Sequence, residues 1–397
     1  PKGYAFIDEP RWQVIVGSYQ AGFGERLTFD QTTRSQPNGI YPDDLLVEYV
    51  ESGKFGVRER MFGVAGAALG IPLGDTDQTL DVTAFFSWFP YDVSQSDVDS
   101  RQRLSDDSRY FPRGGSNPLV CNPDADPYAC AESGTGKLSF QSLRAAYTEL
   151  LFGGRVAYTP VMRWRVGTTF YLSFLDWQAG TGLEFAPSAR YPNRDRFGAI
   201  GLDVAGHHGP FSVFGEYAVT FAGGHAAVLR GILGYRMFDV ELAGRYYGES
   251  FDNPHARGAA APDEFLGQRD RDEAGALVRF NVRPWKSLQA RLDLDFWHRP
   301  SLGVTSLDMA TRVSIDPLPW LGLAAGVDFT DKDLTTGGRD QNYTTALLLS
   351  DDPLDESMQP YPAGARVAAW GQVVADVLPG VRLLAFYKSI WWDTTRA

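Results

Sequence analysis

Apolar and polar residues alternate one by one along most of the chain. In the segment RWRVGTTFYLSFLDW, Trp164, Val166, Phe170, Leu172 and Phe174 fall on one parity, and Arg163, Arg165, Gly167, Thr169 and Ser173 on the other. A period of two held over about a dozen residues is the mark of a strand with one oily and one wet face. The pattern recurs at Phe211, Val213, Tyr217 and Val219 against Ser212, Glu216 and Thr220. Leu288, Ala290, Leu292, Leu294 and Phe296 face Gln289, Arg291, Asp293 and Asp295 in the same way. These runs exceed the 5–6 residues of an ordinary strand and match the roughly 9–11 of a strand that crosses a membrane at a tilt. Helical periodicity is nearly absent.

The connections alternate in length. Short turns rich in Pro or Gly, such as HHGP at 207–210 and DPLPW at 316–320, are separated by polar stretches near 92–139, 178–193, 250–273 and 331–364. Short turns on one rim and long loops on the other characterise outer-membrane barrels, with the short side periplasmic. Fifteen spans are legible, beginning with 12–23 and 57–70 and ending with 381–392. Even strand counts are the rule for such barrels, so the expectation is about 16 strands, with a range of roughly 14–18. The whole of residues 1–397 is expected to form one all-β domain, a transmembrane antiparallel up-and-down barrel. Trp88, Trp164, Trp177, Trp285 and Trp320 lie near strand ends, where amphipathic rings form girdles at headgroup depth.

Composition changes the picture in two ways. With 44% hydrophobic residues the chain can build a large folded body, yet no window approaches the roughly 18 uninterrupted apolar residues of a membrane helix. Lys and Arg number 37 against 49 Asp and Glu, a formal net charge of −12 without a basic run, so nucleic acid is not an expected partner. Two cysteines exclude a Cys-rich scaffold. Cys121 and Cys130 stand close together in CNPDADPYAC, within the longest polar stretch, and are expected to form a disulfide in an oxidising compartment.

The pattern resembles bacterial outer-membrane β-barrel proteins over nearly the whole chain. Residues 16–44, VGSYQAGFGERLTFDQTTRSQPNGIYPDD, resemble the opening of barrels fused to helix-hairpin-helix domains, a part that has no counterpart in this sequence. The resemblance implies the bacterial outer membrane as location. Lipid and lipopolysaccharide would surround the wall, and protein partners would meet it at loops or periplasmic turns. Barrels of this class usually end in a strand with a terminal aromatic residue. Here Trp391 and Trp392 precede Asp-Thr-Thr-Arg-Ala, and the chain begins at Pro1 without a leader, so a processed or truncated chain is expected.

If apolar residues face lipid, the other parity lines the lumen. That assigns Arg163, Arg165, Glu216, Arg230, Arg236, Glu241, Arg245, Arg279, Arg283, Arg291, Asp293, Asp295, Asp308, Arg312, Asp316 and Asp328 to the interior. Arg or Lys on the lipid face costs about 2–4 kcal/mol at mid-membrane, which is why charges keep to one parity. The mixed signs fit either a water-filled channel for small polar solutes or a sealed wall of cross-strand pairs. Catalytic signals are weak. The histidines (207, 208, 225, 255 and 298) show no spacing for a metal or for a lipid-hydrolase nucleophile, so no catalytic, metal or cofactor site is expected. A porin-like channel leads. A structural or assembly barrel that docks proteins comes second, and an outer-membrane lipid hydrolase third.

Overall fold

The computed structural model describes residues 3–32, 51–52, 61–74, 77–94, 142–161, 163–177, 194–258, 271–334, 365–378 and 380–392. Regular structure among them is entirely strand. The first half comprises β1 (Tyr4–Glu9), β2 (Trp12–Gln20), the two-residue β3 (Glu51–Ser52), β4 (Met61–Pro72), β5 (Thr79–Ser94), β6 (Ser142–Val161), β7 (Trp164–Trp177) and β8 (Arg196–His208). It continues with β9 (Phe211–Thr220), β10 (His225–Gly234), β11 (Phe238–Tyr247), β12 (Glu273–Trp285) and β13 (Leu288–Arg299). The last strands are β14 (Val304–Leu318), β15 (Leu321–Asp331), β16 (Ala365–Leu378) and β17 (Val381–Trp392).

Leaving the short β3 aside, every strand pairs antiparallel with the next one in the chain, from β1–β2 to β16–β17. Sixteen strands result, in an up-and-down barrel wall. The strand missing from the fifteen legible spans is β1, whose six residues YAFIDE are too few to display alternation. The two ends of the ladder, β1 and β17, are exposed along both faces.

Exposure follows parity. On β11, Glu241, Ala243, Arg245 and Tyr247 are buried, whereas Leu242 and Tyr246 are exposed at 56% and 49%. On β7, Thr169, Tyr171, Ser173 and Leu175 are buried between the exposed Val166, Phe170 and Phe174. Hydrocarbon outside and arginine inside inverts the soluble arrangement, and only lipid makes it favourable. The barrel is a transmembrane one. Trp88, Trp164, Trp285 and Trp320 are exposed, but Trp177 stands on the inward parity and packs on Tyr147 at 4.9 Å between ring centroids. That last strand position keeps the inward direction of Ser173 and Leu175, so closeness to a loop does not turn the ring toward lipid.

The inward parity is not uniformly wet. Phe85, Tyr147, Leu151, Tyr171, Leu175 and Phe197 form one buried apolar cluster inside, and Leu277, Tyr247 and Ala243 part of another. Both clusters close around residues that belong to no wall strand.

Candidate functional site

The wall strand β2 stops at Gln20, short of the expected 23, and the chain then turns into the lumen. Residues 21–32 are buried throughout except Glu25, which is partly so, and Ala21, Phe23, Leu27, Thr28, Phe29 and Asp30 have no exposed surface. The segment doubles back on itself through bonds from Phe23 N to Phe29 O (3.1 Å) and from Gln31 N to Ala21 O (2.7 Å). Its two faces meet nearby stretches of the wall. On one, Phe29 stacks on Phe85 of β5 at 4.7 Å and tilts against Tyr171 of β7 at 5.3 Å. On the other, Glu216 of β9 accepts bonds from Leu27 N (3.1 Å), Thr28 N (2.8 Å) and Thr28 Oγ1 (2.6 Å).

Two glycines permit this close fit. Gly24 adopts a φ of +59°, and a Cβ there would lie 2.6 Å from Glu216 Oε2. On the adjoining strand, a side chain at Gly201 of β8 would collide with Thr28 Oγ1. Burying Phe23, Leu27 and Phe29 contributes about 1.5–3 kcal/mol apiece, enough to offset much of the cost of ordering the segment.

The wall around it carries ion pairs in series. Glu25 of the inserted segment reaches Arg230 of β10 at 3.0 Å, and Arg230 lies 3.9 Å from Glu241 of β11. Glu241 meets Arg279 of β12 at 2.7 Å, Arg279 meets Asp293 of β13 at 2.8 Å, and Asp293 meets Arg291 at 2.6 Å. The register Glu241↔Arg279↔Asp293 produces this, because it sets opposite charges directly across neighbouring strands. A second set joins Arg245 to Glu273 and, at 2.6 Å, to Asp295. Further round, Arg155 of β6 holds Asp203 of β8 with two bonds of 2.6 and 2.8 Å, and its guanidinium lies 5.6 Å from the Phe23 ring.

The stretch after β11 closes the packing from the loop side. Asp30 N donates to His255 O at 2.7 Å and Arg257 N to Arg26 O at 2.8 Å, while Asn253 Nδ2 donates to the carbonyls of Leu27 and Thr28. The His255 ring bonds Gln31 through Nδ1 and Glu149 through Nε2, the latter at 2.7 Å. Ser173 Oγ donates to the same Glu149 oxygen at 2.5 Å. A serine, a histidine and an acid thus come together, but with the carboxylate in the middle. A serine nucleophile needs the imidazole at its hydroxyl, so this cluster cannot pass a proton from Ser173 to His255. It is a clamp on the inserted segment.

The β14–β17 arc differs. Asp308 and Asp328 are half-buried, and Arg312 and Asp316 exposed. Lys388 approaches Asp328 only to 4.0 Å. An open cavity of about 740 Å³ lies at the short-turn end of this arc, bordered by Arg312, Asp316, Trp320, Gln372, Asp376 and Arg382.

Of the charges assigned to the lumen, Glu216, Arg230, Glu241, Arg245, Arg279 and Asp295 are buried inside and Arg291 and Asp293 half-buried. Arg165 is half-buried, 3.8 Å from Asp81. Arg163 and Arg236 stand exposed in short turns and Arg283 exposed at a strand end, because the ladder runs out before the alternation in the sequence does. Cys121 and Cys130 lie outside the described residues. Sequence reasoning missed the whole inserted segment. Its signals are faint: two glycines in AGFGE, and apolar residues at 23, 27 and 29 where alternation breaks.

No protein-family model and no curated protein matches the chain. Solved structures show remote likenesses. One is Wzi, an outer membrane protein involved in group 1 capsule assembly in Escherichia coli, described as a carbohydrate-binding β-barrel. It has a TM-score of 0.36 and 10% identity over 83% of this chain and 66% of that one, so the chain spans just under two thirds of its length. A BenF-like porin from Pseudomonas fluorescens Pf-5 has a TM-score of 0.33 and 9% identity over 98% and 95% of the two chains. The outer membrane channel DcaP of Acinetobacter baumannii has a TM-score of 0.28 and 10% identity over 83% and 90%. With TM-scores below 0.5 these likenesses are too remote to bear on function. The barrel assignment stands on the chain's own ladders and faces.

Proposed function

We propose that the chain is a bacterial outer-membrane barrel that passes small polar solutes, with residues 21–32 confining passage to the β14–β17 side of the lumen. The observation that carries this reading is the asymmetry of the interior. From β5 to β12 the wall is packed and its charges are paired, while at the short-turn end of β14–β17 Arg312, Asp316, Asp376 and Arg382 are exposed and border a cavity of about 740 Å³. Polar groups kept solvated on one side of an otherwise filled barrel are what a narrow aqueous path requires. The long loops would then face the lipopolysaccharide, and the short turns the periplasm.

Planar-bilayer recording of the purified protein tests this. Small, reproducible conductance steps are the expected result, and a barrel that inserts but stays silent overturns it.

The tightness of the β5–β12 packing favours a second reading, a sealed structural barrel that docks other proteins at its loops or turns. Stoichiometric partners retained in mild detergent, together with silence in the bilayer, would select it.

A further inference from the structure

We propose that the trough between β14 and β16 is a binding site for a small zwitterionic solute of short-peptide size, its carboxylate held by Arg312 and its ammonium by Asp316. The assignment rests on the polar-solute reading above and names the class of solute.

The trough follows from the sequence of three strands. The inward face of β15 carries Gly322, Ala324 and Gly326, none of which projects into the lumen, so β15 forms a low floor. β14 forms one bank with Arg312, Ser314 and Asp316, and β16 the other with Trp370, Gln372 and Val374. The register aligns Arg312 with Gly326 and Trp370, and Ser314 with Ala324 and Gln372. Gly326 is required for this shape, since a Cβ there would lie 2.7 Å from the Trp370 ring. The Arg312 guanidinium sits 5.7 Å from the Trp370 ring centroid, an interaction that steadies the cation without neutralising it.

The charges differ from those elsewhere in the barrel. Asp376 and Arg382, at the mouth of the trough, satisfy each other with two bonds of 2.7 and 3.1 Å. Among the described residues, Arg312 and Asp316 have no ion-pair partner, and the Gln372 amide has no side-chain partner. These two opposite charges stand four residues apart on one strand, a backbone separation of about 13 Å at roughly 3.3 Å per residue. An extended tripeptide spans about 10 Å, and hydrogen bonds of about 3 Å at its two ends cover the rest. A simple anion would meet Asp316 as well as Arg312, and a simple cation the reverse. A solute with both charges satisfies both groups, while Ser314 and Gln372 stand level with its middle to bond a polar backbone.

Isothermal titration of the full-length barrel in detergent with trialanine tests the proposal. The controls are trialanine acetylated at the amine, trialanine amidated at the carboxylate, and maltose. Trialanine is expected to bind at least tenfold more tightly than any control. Arg312→Gln should abolish the preference for a free carboxylate while keeping that for a free amine, and Asp316→Asn should do the converse. Equal affinity for free and capped peptides, no binding at all, or tighter binding of maltose overturns the site. Selective binding by a barrel that is silent in the bilayer would uphold the site and reject the channel. Conductance without peptide discrimination would do the opposite.

Discussion

Glu216 is an acid on the inward face of β9, and three of its hydrogen bonds run to Leu27 and Thr28 of the inserted segment. Its parity is plain in the sequence, since it alternates with Val213, Tyr217 and Val219. Its partners are not, because they lie almost 190 positions away. The same holds for Gly201, an ordinary strand glycine until Thr28 is placed against it. Glu216→Ala should orphan two buried backbone donors at about 1–3 kcal/mol each, a total loss of roughly 2–6 kcal/mol. Chemical denaturation in detergent measures this, and an unchanged midpoint would mean that the bonds to Glu216 do not hold the segment in solution. Arg163, Arg236 and Arg283 teach the opposite lesson. Alternation continues through a strand's last residues into the turn, whereas burial ends with the ladder.

At the scale of elements, residues 21–32 decide how much of the lumen is filled. They bridge β5 and β7 to β9 and β10, and residues 253–257 pin them from the loop side. Replacing residues 21–32 with a Gly-Ser linker of equal length should leave the wall assembled and raise single-channel conductance severalfold. The wall pairs Glu241–Arg279 and Arg155–Asp203 do not depend on the segment. Bilayer recording with circular dichroism as the folding control reads both outcomes, and unchanged conductance in a folded barrel would show that the segment does not restrict the path. Such an element escapes period-based reading because it has no period. Its residues are chosen for the cavity they fill, and that cavity is assembled from strands spread over more than a hundred positions.

For the whole molecule, the inversion of oily and charged faces is the governing feature. Leu242→Arg, on the outward face of β11, should reduce assembly into lipid vesicles sharply, at a cost of about 2–4 kcal/mol near mid-membrane. Asp293→Asn, on the lumen face of β13, should assemble as the parent does, because Arg279 keeps Glu241 as a partner. Equal assembly of the two variants, followed by the shift of the folded band on unheated gels, would reverse the assignment of the faces.

The strand class, the membrane-spanning lengths, the alternation of short turns with long loops and the inside–outside parity were all determined by the sequence alone. Each is a local property, set by neighbours one, two or about ten residues away, and lipid imposes it on every strand separately. Only the tertiary structure decided that residues 21–32 enter the lumen, that Glu216 clamps this inserted segment, that Ser173, Glu149 and His255 meet in an order unfit for catalysis, and that Arg312 and Asp316 have no ion-pair partner among the described residues beside a cavity. Those facts depend on which residues share a height and face each other across the barrel. Register and chain reversal set that, and neither leaves a periodic trace in the sequence.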